Sequence, residues 1–196
     1  MGSNPPPLVV VIAGPNGAGK STAAPRLLRE ALAVDEFVNA DTIALGLSAF
    51  RPEEVAVAAG RIMLARLRSL ADGRVSFAFE TTLASRSFAP WLRELRGNGY
   101  LVHLAFLALR SPDLAVARVH ERVLIGGHAV PEAVVRRRYA GGLRNFFSLY
   151  VSIADTWELF DNGDVTGLRV VASGGVATLL RIADAAMWKQ LQDAAK

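Results

Sequence analysis

Residues 14–21 read Gly-Pro-Asn-Gly-Ala-Gly-Lys-Ser, with glycine at the first and sixth positions, lysine at the seventh and a hydroxyl at the eighth. That spacing makes a phosphate cradle. Glycines let successive backbone N–H groups turn inward onto phosphate oxygens, at the positive end of the helix that follows. Lys20 then reaches the β- and γ-phosphates, and the Ser21 hydroxyl takes one position on Mg²⁺. Gly14, Pro15, Asn16, Gly17, Ala18, Gly19, Lys20, Ser21 and Thr22 are the expected contacts of a nucleoside triphosphate, with Ser21 the expected metal ligand. Of 22 cationic residues only Lys20, Lys189 and Lys196 are lysines, so a chain that otherwise writes its cations as arginine uses an ammonium here. An ammonium is a compact point charge that fits among phosphates, whereas a guanidinium is a larger, planar fork.

Two carboxylates end apolar runs. Asp41 follows Val38-Asn39-Ala40, and Glu80 closes the run Val75–Glu80. A carboxylate at the carboxyl end of a strand, facing a γ-phosphate, can accept the proton of an attacking hydroxyl. Asp41 suits that role, and it equally suits the cap of a helix over residues 42–47. Glu80 suits three roles: the acidic strand end that holds Mg²⁺ in P-loop proteins, a hydrogen bond to a substrate hydroxyl, or a helix cap.

Residues 110–145 hold seven arginines: Arg110, Arg118, Arg122, Arg136, Arg137, Arg138 and Arg144. Arg118 and Arg122 share a helix face by their i, i+4 spacing and precede Gly126-Gly127, a hinge before the next helix. Such a layout predicts a lid, residues 111–150, that brings cations to a transferring phosphoryl group. On the second lid helix Val135, Tyr139, Leu143, Phe146 and Tyr150 form the apolar stripe; Arg138 and Asn145 flank it and reach inward, while Arg136 and Arg137 face solvent. His128, in the hinge, is a candidate hydrogen-bond donor to phosphate or substrate, whereas His103 lies inside an apolar strand and is expected to be a satisfied core residue.

The elements that must position these residues alternate. Leu8–Ala13 is a continuous apolar run, as in a strand buried on both faces. Helix is expected over residues 20–32, strand over 37–40, helix over 52–71, strand over 75–80, helix over 88–96 and strand over 100–109. Ser111, Pro112 and Asp113 start another helix as cap, first-turn proline and first-turn acid. Late strands are expected over 157–160 and 168–172, and a terminal helix from Val176 onward. The expected fold is α/β, a P-loop three-layer sandwich with a mainly parallel sheet and a helical lid. At 196 residues and 52% hydrophobic composition it makes one domain, residues 1–196.

Composition excludes several classes. With no cysteine there is no disulfide framework, Cys-ligated zinc or Cys nucleophile, and three scattered histidines give no transition-metal pattern. The opening MGSNPPP has neither the basic nor the apolar region of a signal peptide, and no apolar run is long enough for a membrane helix, so a cytoplasmic protein is expected. A net charge of +4 and a pI near 10.0 would suit a nucleic-acid partner, but few aromatics interleave with the arginines as a single-strand platform requires. A guanine-reading Asn-Lys-x-Asp is impossible with lysines only at 20, 189 and 196.

The ordered set GPNGAGKST, VNADTIA, FAFETTLA, RVHERVLIGGHAVPEAVVRRRYAGGLRNF and WELFDN resembles the zeta-toxin-type P-loop kinases over residues 8–174. The resemblance implies ATP-dependent phosphorylation of a small-molecule hydroxyl, which in the toxins is the 3′-hydroxyl of the amino sugar in UDP-N-acetylglucosamine, with an antitoxin protein as partner. It implies Lys20 and Ser21 as phosphate and Mg²⁺ contacts, Asp41 as general base, Glu80 and Thr82 on the substrate side, and lid arginines on the γ-phosphate, with Arg118, Arg122 and Arg138 the catalytic candidates. The competing reading is a polynucleotide or nucleoside kinase, or a nucleic-acid-associated NTPase.

Overall fold

The computed structural model describes residues 5–127, 129–163, 167–176 and 180–196. Seven strands form one sheet in the order β2-β3-β1-β4-β5-β6-β7. They are β1 (Leu8–Ala13), β2 (Glu36–Val38), β3 (Phe77–Thr81), β4 (Leu101–Ala108), β5 (Thr156–Asp161), β6 (Arg169–Gly175) and β7 (Arg181–Ile182). The first five are parallel, and β6 and β7 extend the sheet antiparallel. From Val9 to Ala13 on β1, and from Val102 to Ala108 on β4, every residue is buried. Side chains alternate faces along a strand, so unbroken burial means both faces of the sheet are covered.

The helices are α1 (Lys20–Pro25), α2 (Ala40–Leu47), α3 (Ala56–Asp72), α4 (Phe88–Gly97), α5 (Pro112–Leu124), α6 (Glu132–Ser148) and α7 (Ala185–Ala194). The start of α5 is as the sequence reads: Ser111 Oγ accepts from Leu114 N–H at 3.1 Å, with Pro112 and Asp113 in the first turn. Its end is a Schellman motif, in which Gly127 N–H bonds the Arg122 carbonyl at 2.8 Å and Gly126 N–H bonds that of Val123 at 3.0 Å. Gly126 carries the left-handed φ of 89° that this motif requires.

Helix α6 is anchored rather than loose. Val135, Tyr139, Leu143 and Phe146 are buried, and the Phe146 ring meets Phe106 of β4 and Trp157 of β5. Tyr139 Oη donates to the Leu109 carbonyl at 2.8 Å. Burial pushes that phenol up to about 12, so it remains a donor. Asn145, also buried, donates to the carbonyls of Leu83 and Ala84 and thereby holds the loop that leaves β3. Arg136 faces outward, paired with Glu132 and Asp113.

Three boundaries differ from the sequence reading. The helix expected over 20–32 changes character at Pro25: α1 gives way to a wider π-type turn over Arg26–Leu32. Proline has no N–H for the i→i−4 ladder and its ring crowds the carbonyl one turn back. No helix starts at Val176. Instead β6 runs to Gly175, paired with Thr156, and α7 starts only at Ala185, capped by Asp184, whose Oδ1 accepts from Met187 N–H at 2.9 Å. The long helix expected from Pro52 begins as a single 3₁₀ turn, Pro52–Val55, before α3.

Candidate active site

Parallel strands bring their carboxyl ends to one edge of the sheet, where ligands of such folds bind. The register sets the site. Ala13, the last residue of β1, pairs with Thr81 on one side and Phe106 on the other, so the phosphate loop leaves the sheet beside Glu80. Val38 pairs with Phe79, which brings Asn39 level with Glu80 on the neighbouring strand.

The loop follows the geometry its sequence demands. Gly14 has φ 142° and lies so close to the Leu107 carbonyl oxygen that a Cβ there would collide with it. Gly19 opens α1 in the left-handed conformation, φ 74°, with no side chain capping the helix. The first residues of α1 therefore present N–H groups that have no intrahelical acceptor. Lys20 is buried, with Nζ donating to the Pro15 carbonyl at 2.9 Å and lying 3.6 Å from Glu80 Oε1. Burial lowers its pKa; the nearby carboxylates of Glu80 and Asp41 pull the other way.

Glu80 is not a helix cap, since α4 begins only at Phe88. Its Oε2 accepts from Ser21 Oγ and from Asn39 Nδ2, both at 2.7 Å. Nor is Asp41 the cap of α2. That position belongs to Asn39, whose Oδ1 accepts from the N–H groups of Asp41 at 2.7 Å and Thr42 at 3.3 Å. Asp41 sits in the first turn of α2 and lines a cleft of about 450 Å³ together with Lys20, Ser21, Glu80, Arg118 and Arg122. A hydroxyl and a carboxylate 2.7 Å apart are hard oxygen donors of the kind Mg²⁺ takes from a protein, the rest of its shell coming from water and phosphate. The residues thus fit the metal that a nucleoside triphosphate carries.

Of Arg118, Arg122 and Arg138, the first two line the cleft. Arg122 lines it, within electrostatic reach of Lys20. Arg118 also lines it, but its guanidinium is engaged, donating to the carbonyl oxygens of Asn162 and, at 3.1 Å, of Gly163. Arg138 is not in the cleft lining and instead donates to Asn16 Oδ1 of the loop at 3.3 Å. Thr82 is not part of the cleft lining; its carbonyl packs on Gly142 of α6. His128 lies outside the described residues. His103 is a core residue, as expected, with Nδ1 2.8 Å from Thr156 Oγ1.

Sequence reasoning missed the turn after β5. Asn162 Nδ2 donates to the Ala18 carbonyl at 2.8 Å and so props the phosphate loop from across the sheet. The turn itself is held by Asp161, which is 1% exposed and accepts from Arg169 at 2.6 Å, Arg110 at 3.0 Å and Gly163 N–H at 2.8 Å. The signal lay in WELFDN, where an acid and an amide close an apolar strand as they do at Glu80 and Asn39. Asn39 was likewise missed, although it stands two residues before Asp41.

A phosphate loop leaving the central strand, with Glu80 on the neighbouring strand β3 and Asp41 just after β2 beyond it, is the arrangement of a P-loop phosphotransferase. The chain belongs to the zeta toxin family, whose model matches residues 2–168. An uncharacterized protein of Haemophilus influenzae is 30% identical over 126 residues, which is 64% of this chain and 88% of that one. Among solved structures, a complex of AvrRxo1-ORF1 and -ORF2 with ATP superposes with a TM-score of 0.75 at 15% identity, over 98% of this chain and 65% of the other. This chain therefore spans less than two thirds of the matched AvrRxo1 chain. The PezAT toxin–antitoxin system of Streptococcus pneumoniae gives a TM-score of 0.67 at 16% identity, over 99% of this chain and 86% of its counterpart. Among the described residues no helix is long and apolar enough to cross a membrane.

Proposed function

We propose that this protein transfers the γ-phosphoryl group of ATP to a hydroxyl of a small molecule. The observation that carries the reading is the separation of duties between Asn39 and Asp41. With Asn39 capping α2, Asp41 is left without a capping role and lines the same cleft as Lys20 and Ser21. Asp41 takes the proton of the acceptor hydroxyl as its oxygen bonds to the γ-phosphorus and the bond to the β–γ bridging oxygen breaks, releasing ADP. Lys20 and Arg122 hold the charge on the phosphoryl oxygens, and the loop N–H groups orient the phosphates. Ser21, with Glu80 beside it, would hold Mg²⁺, which supplies further neutralising charge when bound. ATP as donor is supported by family membership and by the ATP complex of the AvrRxo1 neighbour.

Family membership makes a nucleotide sugar of the UDP-N-acetylglucosamine type the first acceptor to test. An antitoxin-type protein partner is supported by the PezAT likeness. Incubation with ATP, Mg²⁺ and a panel of nucleotide sugars, nucleosides and sugar alcohols, read by mass for an added phosphate, tests the class and finds the acceptor. Asp41→Asn should bind ATP within a few-fold of wild type while transfer falls by about 100-fold or more. Normal transfer by that variant removes Asp41 as base, and labelling of an oligonucleotide 5′ end in place of a small molecule favours a polynucleotide kinase.

A further inference from the structure

Asn39 does more than cap a helix. It is buried, 7% exposed, and both ends of its amide are used. On one side Oδ1 faces two backbone N–H groups, those of Asp41 and Thr42. On the other, Nδ2 lies 2.7 Å from Glu80 Oε2 and 3.4 Å from Ser21 Oγ. The orientation of the amide is dictated by these partners: N–H groups require the oxygen and the carboxylate requires the NH₂. Serine and aspartate cap helices as well as asparagine does, but aspartate has no donor, and serine carries its one O–H on the same short-reaching oxygen that caps, with no second polar atom to extend to a carboxylate on the far side. Aspartate would set two carboxylates against each other. The cap is served by many residues; the pair of contacts is served by asparagine.

The two contacts belong to the two halves of the site. Glu80 and Ser21 stand where the phosphates and their metal would bind, while the first turn of α2 carries Asp41. We propose that Asn39 is a positioning residue that joins these halves, aligning the Glu80 carboxylate with Ser21 through its NH₂ and fixing Asp41 through its oxygen. The proposal rests on the phosphotransferase reading. It goes beyond it in assigning to one side chain the relative placement of the metal-side carboxylate and the acceptor-side base. The strand β2, only three residues long and at the sheet edge beside β3, makes the link: the pairing of Val38 with Phe79 sets Asn39 against Glu80.

Three variants separate the two contacts. Asn39→Ser keeps the capping oxygen and loses the NH₂; Asn39→Asp keeps the cap and turns the donor into a like charge; Asn39→Ala loses both. Thermal unfolding is followed for each protein alone, with ATP and EDTA, and with ATP and Mg²⁺. Without ligand, Asn39→Ser should melt close to wild type and Asn39→Ala lower. ATP in EDTA should raise the melting temperature of wild type and Asn39→Ser alike, and the additional rise on adding Mg²⁺ should shrink by half or more in Asn39→Ser and Asn39→Asp. In turnover, Asn39→Ser should lose about 10- to 100-fold in kcat with the KM for ATP within about 3-fold, as expected when a residue orienting a metal-side group is removed. A wild-type Mg²⁺ increment and kcat in Asn39→Ser overturn the proposal. So does loss of ATP binding in EDTA, which would make Asn39 a scaffold residue only. A wild-type protein that shows no ATP-dependent shift at all overturns the phosphotransferase reading along with it.

Discussion

Replacing Asp161 with asparagine tests whether the turn after β5 is held by charge. The carboxylate is 1% exposed, and its two arginines, Arg110 and Arg169, are 49% and 48% exposed. Asparagine preserves the shape and can still accept from Gly163 N–H, so the change removes the charge alone. A hydrogen bond to a charged group contributes about 1.5–3 kcal/mol, but two half-exposed guanidiniums regain water when released. Their joint loss is therefore set at about 2 kcal/mol. For a chain of this size that is a fall of about 4–8 °C in melting temperature. The pH dependence gives the sharper reading. Burial alone would raise the Asp161 pKa, but hydrogen bonds from Arg169, Arg110 and the Gly163 N–H outweigh it and hold the carboxyl below its ordinary 3.8. A depressed carboxylate contributes stability that is complete above the unfolded value and is lost as pH falls through the folded one. Melting curves of both proteins at pH 7, 5, 4 and 3 should show a full gap at the first two and a closing gap below 4. Because Asn162 and the Arg118 acceptors share that turn, ATP affinity should weaken several-fold as well. Equal melting temperatures at pH 7, or a gap of unchanged width at pH 3, would refute the reasoning.

Two more outcomes can be checked alongside. Lys20→Arg should lose the ATP-dependent rise in melting temperature and about 100-fold or more in transfer, because a planar fork does not fit where a buried ammonium rests 2.9 Å from the Pro15 carbonyl. Retained turnover in Lys20→Arg would show that any cation suffices. Burial pushes His103 down to about 4 although Glu158 stands 3.8 Å away. The unfolded chain therefore binds a proton between pH 6.5 and 4 that the folded chain refuses, and wild type should lose up to about 3 kcal/mol across that window. His103→Asn should remove that part of the slope in urea titrations, and an unchanged slope would place the acid sensitivity elsewhere.

The parts of the site that were legible in the sequence are those written in consecutive residues. The phosphate loop is a backbone shape: the close approach of Gly14 to the Leu107 carbonyl of β4 is a tertiary demand, but the positive φ values at Gly14, Gly17 and Gly19 are local ones, written in the glycine spacing. The strand ends at Glu80 and near Asp41 were legible for the same reason, as was the inward position of Arg138 and Asn145, which follows from the 3.6-residue period of α6. The end of the chain was misread because Val176 and the apolar residues after it carry no helix start signal, whereas the cap at Asp184 does. The change within the first helix was written at Pro25, but only its disrupted ladder, not the wider turn it produces, follows from local rules.

By itself, then, the sequence determined that a triphosphate cradle follows a buried strand and that two carboxylates end two further apolar runs, because each depends on residues within a few positions of one another. That Glu80 caps no helix and instead meets Ser21 and Asn39 was decided by the tertiary structure. Asn39 meets Glu80 from 41 residues away, and Asn162 meets Ala18 from 144. Those meetings exist only because the sheet orders its strands β2-β3-β1-β4-β5, so that chain segments far apart in sequence end side by side. Strand order rests on packing of the whole chain, which no short window of residues encodes. For the same reason Arg118, read from its spacing as a ligand for phosphate, lies hydrogen-bonded to the turn that holds the loop.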